Sequence, residues 1–206
     1  MVKEKPLILF QGDSITDGGR NRKRSSDLGR GYPYFVKNLL KDKNIEAEVL
    51  NRGISGNRAV DLLGRWDEEC LKLSPDIVSI LIGVNDTWRR YDANDPTEPE
   101  VFEERLEKII NLTLQNTEVK LVLLNPFLLD INEKITRMRE DLSQKQEVVK
   151  NLAEKYDAAF IDLDKAFAEA CKTKAPDHYA YDGVHPTEVG HELIAKLWVD
   201  KVFGKR

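Results

Sequence analysis

At 206 residues, 41% hydrophobic and 33% charged, the chain is too rich in apolar side chains to be disordered, and its length favours one domain around a sizeable core. A formal net charge of -4 provides no long-range attraction to nucleic acid, and no stretch reaches the length of a membrane span. Two distant cysteines, Cys70 and Cys171, cannot build a disulfide framework and have no partners at metal-ligand spacing, so both read as free thiols.

Met1 to Phe10 carries only a brief apolar run and no small-residue cleavage site, which makes the cytoplasm the expected location. Within it, Leu7-Ile8-Leu9-Phe10 has the pattern of a short strand buried on both faces. The run Gly12-Asp13-Ser14-Ile15-Thr16-Asp17-Gly18-Gly19 then turns the chain sharply. Ser14 therefore lies just past the carboxyl end of a buried strand, where open α/β sheets hold their ligands. It reads as a nucleophile; an ordinary turn, or a phosphate-binding turn of flavodoxin type, is the alternative these residues alone leave open.

The basic run Arg20 to Arg30 reads as a solvated loop, with a substrate rim or subunit contact as its functional alternative. Tyr34, Phe35, Leu39 and Leu40 place a helix over Pro33 to Lys43. Glu46 to Asn51 is the second strand and runs into Asn51-Arg52-Gly53-Ile54-Ser55-Gly56-Asn57. A helix through Ala59, Leu62, Leu63 and Trp66 follows. Ile77 to Ile82, apolar and largely branched at Cβ, suits a central parallel strand, and it stops at Gly83-Val84-Asn85-Asp86. Trp88 to Pro99 reads as a loop. A helix carries Phe102, Leu106, Ile109, Ile110 and Thr113 on one stripe.

Lys120 to Asn125 is the fourth strand, and Phe127 to Thr136 a connection suited to cover a pocket. A long helix through Leu142, Val148, Val149 and Leu152, a fifth strand from Ala158 to Leu163 and a short helix near Ala166 to Cys171 follow. The chain closes with Asp182-Gly183-Val184-His185-Pro186 and a helix through Val189, Leu193, Ile194, Leu197 and Trp198, for which Pro186 reads as the first residue. This alternation forces right-handed crossovers and a parallel sheet between helical layers. The simplest doubly wound solution is a flavodoxin-like three-layer α/β/α sandwich with five strands in the order 2-1-3-4-5.

In that architecture Ser14, Gly53 and Asn85 share one sheet edge, and the last segment returns Asp182 and His185 toward it. A serine hydroxyl attacks only when a base takes its proton, a role open to neutral imidazole at His185. A carboxylate at Asp182 would fix the tautomer and stabilise the imidazolium. The N–H groups of Ser14 and Gly53 and the side-chain amide of Asn85 would receive the oxyanion. Trp88 and Tyr181 read as walls of a sugar or acyl pocket, with packing as the alternative. Asp13 sits at the same turn, where it would border the pocket. Asp86 reads as a cap or as a brace for Asn85. His178 reads as a solvated loop residue, with pocket lining as its alternative, and His191, within the last helix, as a surface or packing residue.

The blocks Gly12-Asp13-Ser14-Ile15, Asn51-Arg52-Gly53, Gly83-Val84-Asn85-Asp86 and Asp182-Gly183-Val184-His185-Pro186 resemble, in order and over nearly the whole chain, those of the SGNH hydrolases, also called the GDSL esterase/lipase family. The resemblance implies a flavodoxin-like fold, Ser14 as nucleophile, His185 as base, Asp182 as its orienting acid, Ser14, Gly53 and Asn85 as oxyanion donors, and Asp13 as a brace of the turn by hydrogen bonding. Asn85-Asp86-Thr87-Trp88 and the Arg-rich loop are most similar to the small carbohydrate acetylesterases that act on xylan fragments.

The expected substrate is then a short-chain, acetyl ester on carbohydrate, hydrolysed without metal or cofactor. Nucleic acid and membrane are not expected partners. The loops at Arg20 to Arg30 and Trp88 to Pro99 could serve a homo-oligomer. A lysophospholipase or thioesterase with longer acyl preference, or a non-catalytic sugar-binding protein of the same fold, are the alternatives.

Overall fold

The computed structural model describes residues 5–116 and 118–204, so the first four residues of the segment read above for a signal lie outside the described residues. Five strands, β1 (Leu7–Gly12), β2 (Glu48–Asn51), β3 (Ile77–Leu81), β4 (Lys120–Leu124) and β5 (Ala159–Ile161), pair in parallel in the order β2-β1-β3-β4-β5. This is the expected doubly wound sheet. The helices around it are α1 (Ser14–Asp17), α2 (Tyr32–Asp42), α3 (Ala59–Gly64), α4 (Trp66–Glu69), α5 (Val84–Asp92), α6 (Pro99–Asn116), α7 (Glu133–Lys155), α8 (Leu163–Ala170) and α9 (Glu188–Phe203). No helix among the described residues is long and apolar enough to cross a membrane.

Because strand side chains alternate between faces, β1 feeds two cores. Ile8 and Phe10 pack with Val36 and Leu40 of α2 and with Ile194 and Trp198 of α9. Leu9 packs on the other face with Leu62 of α3, with Leu106 and Ile109 of α6 and with the carboxyl half of α7. Both layers bury apolar side chains worth about 1.5–3 kcal/mol each when fully withdrawn from water. At the carboxyl end of β1 the sheet turns polar: Phe10 pairs with Asn51 on β2 and Ser79 on β3, both fully buried. Ser79 Oγ accepts from Trp198 Nε1 at 2.9 Å, which locks α9 onto the sheet.

Several local expectations change. The segment read as a loop from Trp88 is helical as far as Asp92, because α5 begins at Val84. Its buried first turn is Val84, Asn85, Asp86 and Thr87, so it has no apolar stripe to announce it. The helix expected through Trp66 breaks after Gly64 into α3 and α4. In the connection expected from Phe127 to Thr136, Phe127, Leu128 and Leu129 are buried in the core, and the last four residues already belong to α7, which starts at Glu133. Pro186 is not the first residue of α9. That helix starts at Glu188 behind Thr187, whose hydroxyl accepts from Gly190 N–H, and Pro186 forms a short antiparallel bridge with Ala180. Arg20, expected in a solvated loop, is buried, and its Nε donates to Gly53 O at 2.9 Å.

Trp198 joins both features of this fold, the apolar face and a buried polar tie to the sheet. Trp198→Ala is expected to lower unfolding free energy in urea by about 3–5 kcal/mol, through the cavity left in the core and the lost hydrogen bond to Ser79. A loss under about 1 kcal/mol would contradict its place in the core.

Candidate active site

β1 ends at Gly12, and the chain enters α1 at once. Asp13 is the N-cap, its Oδ1 accepting from Ile15 N–H at 3.0 Å, so Ser14 becomes the first helical residue. From 171 residues away, His185 brings Nε2 to 2.9 Å from Ser14 Oγ. Its Nδ1 lies 2.7 Å from Asp182 Oδ2. The other oxygen of Asp182 accepts from the N–H groups of His185 at 2.7 Å and Val184 at 3.0 Å. Burial pushes the Asp182 carboxyl up. The His185 N–H, the His185 ring and the Val184 N–H outweigh it and hold the carboxyl below its usual range. An ionised Asp182 keeps the imidazole proton on Nδ1, which leaves Nε2 free to accept from Ser14 Oγ–H.

The expected oxyanion donors separate. Asn85, on the first turn of α5 and only 7% exposed, donates one Nδ2 hydrogen to Asn57 O at 3.1 Å and has a second to offer. Gly53 departs from expectation. Its N–H is donated to Asn51 Oδ1 at 2.8 Å, which takes it away from any ligand. Its lack of a side chain serves packing instead, since a Cβ there would lie 2.4 Å from Asp17 N. Three residues on, Gly56 is exposed, takes φ +82° and has open space where a Cβ would point. Among the described residues its N–H has no acceptor. The Gly56 turn is tied on both sides: Ser55 N–H donates to Asp17 Oδ2 at 3.1 Å, and Asn57 O receives Asn85. The sequence shows both glycines, but only the bond from Gly53 to Asn51 tells them apart.

The remaining candidates sort by burial. Trp88, half-buried, has its ring centroid 6.4 Å from that of His185, so it stands beside the imidazole. Tyr181 is 70% exposed, and its N–H donates to His185 O at 3.0 Å. Asp13 is fully buried, so it braces the turn from beneath and does not border the pocket. Asp86 accepts from Ala59 N–H with both oxygens, at 3.0 and 3.3 Å, and so caps α3. Burial pushes Asp86 up to about 6 and Asp13 up to about 7, each against partial compensation from backbone N–H donors. Asp13 Oδ2 has no partner among the described residues. No group of three or more His, Cys, Asp or Glu among the described residues is arranged to hold a metal ion.

Residues 10–193 match the model of the GDSL-like lipase/acylhydrolase family. The chain is 38% identical over 204 residues to an acetylxylan esterase of Geobacillus stearothermophilus, covering 95% of this chain and 93% of that one. The solved structure of the Geobacillus stearothermophilus acetylxylan esterase Axe2 superposes with a TM-score of 0.89 at 36% identity, over 97% of this chain and 95% of that one. Catalytic mutants of Axe2 have also been solved, with a serine, an aspartate or a histidine replaced by alanine. A GDSL-like protein from Parabacteroides merdae gives a TM-score of 0.94 at 32% identity, over 100% and 99% of the two chains.

Asp13 also yields a stability prediction. Its folded pKa, about 7, lies above the ordinary 3.8, so the folded state holds a proton that the unfolded state releases, and Asp13 lowers stability as pH rises between those values. Asp13→Asn keeps the oxygen that caps Ile15 and removes the charge. The variant is expected to gain unfolding free energy over the parent from pH 4 upward, levelling off above about pH 7. A pH-independent difference in chemical denaturation would show that Asp13 does not titrate in this window.

Proposed function

The chain belongs to the GDSL-like lipase/acylhydrolase family and is a carboxylic ester hydrolase, and on that premise we propose that it removes acetyl groups from carbohydrate hydroxyls through an acyl-enzyme on Ser14. The observation that carries this reading is the unbroken relay Ser14 Oγ to His185 Nε2 at 2.9 Å and His185 Nδ1 to Asp182 Oδ2 at 2.7 Å. The acetylxylan esterase relative supports the acetyl group and the sugar.

In the first step Ser14 Oγ attacks the ester carbonyl while His185 Nε2 takes its proton. Asp182 stabilises the imidazolium. The tetrahedral oxyanion is received by the Ser14 N–H, the Gly56 N–H and the spare Asn85 amide hydrogen. His185 returns the proton to the departing sugar oxygen, leaving acetyl on Ser14. Water, deprotonated by His185, then attacks that acetyl ester and releases acetate, and the proton goes back to Ser14. Trp88, beside the imidazole, closes the acyl side and favours a short chain.

His185→Ala is expected to abolish both ester hydrolysis and labelling of Ser14 by an organophosphonate. Asn85→Ala should lower kcat by about 10²- to 10³-fold with a smaller change in KM; a drop below about tenfold would remove Asn85 from the oxyanion site. Across p-nitrophenyl esters of increasing length, acetate should be the best substrate. A preference for hexanoate or longer would instead point to a lipid or thioester acyl group.

A further inference from the structure

His191 is read from sequence as a surface or packing residue, and the mechanism above does not use it. In the structure it stands on the first turn of α9, and its Nδ1 accepts the N–H of Tyr32, the first residue of α2, at 3.2 Å. Burial drives its imidazole down to about 4, with the nearby His185 a lesser cause, so the ring is neutral at working pH. A neutral imidazole that accepts at Nδ1 must carry its proton on Nε2. His191 is therefore a fixed, uncharged donor.

That donor lines a cavity of about 710 Å³, within the range of small-molecule sites. Arg30, Tyr34, Tyr181, Pro186 and Glu188 are among the other lining residues. Tyr181 immediately precedes Asp182 and Pro186 immediately follows His185, so the loop that carries the relay forms one wall. Gly18, which caps α1 behind Ser14, lies on the same lining. Tyr34 is 44% and Tyr181 70% exposed, and the Tyr34 ring stands edge-on against Phe35 of the same lining, centroids 5.4 Å apart. The chemistry is mixed: two phenol rings with apolar faces, one cation at Arg30, one carboxylate at Glu188 and the neutral His191 donor. A fatty acyl chain would leave the polar groups unpaired, and an anion would meet Glu188. A neutral polyol suits all of them, because its C–H faces lie on aromatic rings while its hydroxyls both donate and accept.

We propose that this cavity is the subsite for the sugar residues on the alcohol side of the scissile ester, with Tyr34 and Tyr181 as stacking faces and His191 Nε2–H as a hydroxyl-orienting donor. The proposal rests on the deacetylase reading and adds the place where the carbohydrate lies. The acyl group is held on the Trp88 side of the relay, and the sugar runs across the Asp182–His185 loop toward α2.

Two substrates separate the proposals. p-Nitrophenyl acetate presents the acetyl group without a sugar, and an acetylated xylooligosaccharide presents both. For Tyr34→Ala and for His191→Ala, the ratio of kcat/KM on the oligosaccharide to that on p-nitrophenyl acetate is expected to fall about tenfold or more. His191→Gln, which can still accept from Tyr32 and donate into the cavity, should restore part of that ratio. Deacetylated xylotetraose should inhibit p-nitrophenyl acetate hydrolysis competitively in the parent, and more weakly in Tyr34→Ala. Tyr34 is exposed enough for its truncation to leave folding intact, which thermal unfolding checks. An unchanged ratio in both folded variants of a parent that cleaves both esters would overturn the subsite alone, whereas no turnover of the oligosaccharide by a parent that cleaves p-nitrophenyl acetate would overturn the carbohydrate reading together with the subsite. A parent that cleaves neither ester would overturn the deacetylase reading and this subsite with it.

Discussion

The side-chain amide of Asn51 holds the active end of this molecule together. It sits at the last position of β2, fully buried. Its Nδ2 donates to Thr16 O at 2.6 Å and to Leu28 O at 2.9 Å, with a longer contact to Asp17 O, while its Oδ1 accepts the N–H of Gly53. One amide thus joins the end of a strand, the helix that carries Ser14, the basic loop and the turn leading to Gly56. Buried polar groups that are fully satisfied in this way specify a single arrangement, because any alternative leaves several of them unpaired. The close approach needs Gly53: a Cβ at that position would collide with the backbone of Thr16 and Asp17. Arg20 Nε closes the other side of the same turn on Gly53 O.

Beneath this hub lies a second constraint, of charge. Asp13 and Asp86 are both fully buried, and the charge of Asp86 adds to burial in raising the cost of ionising Asp13. Asp13 also feels His185, which favours its ionised form, so the carboxyl below the serine and the imidazole above it are coupled. Lys145, fully buried on α7 and paired with Asp141 at 2.9 Å, favours the ionised form of Asp86. The site therefore rests on a low-dielectric floor of ionisable groups whose net charge is set by burial and proximity. Asp182, half exposed and fed by two backbone N–H groups, is the carboxylate that stays ionised. Two kinds of carboxyl, one kept charged and one pushed toward neutrality, are separated by environment alone.

How much of this was legible beforehand follows from the range of each interaction. The strands β1 and β3 were readable because both their faces are buried, which forces uninterrupted apolar runs. Strand order followed from alternation and crossover handedness. The relay was readable because each member lies in a short block of distinctive residues. The helix α5 was hidden, since the face it buries is made of Asn85, Asp86 and Thr87 in addition to Val84, and buried polar residues look like a loop when their partners are out of view. The false expectation at Pro186 has the same origin: a proline before a helix looks the same whether it opens the helix or, as here, pairs two residues upstream of its first turn.

The sequence by itself determined the sheet, its order and the identities of Ser14, Asp182 and His185, because hydrophobic periodicity and short-range motifs are written in consecutive residues. Tertiary structure alone decided which glycine has a free N–H, which carboxyl is buried, that Arg20 is a brace, and that His191 faces a cavity. Gly53 spends its N–H on Asn51 only two residues back, but Asn51 is itself held by Thr16 O, and Arg20 and His191 likewise meet partners dozens of residues away. A hydrogen bond consumes a donor only once folding has brought its acceptor within reach, and no local pattern records that event.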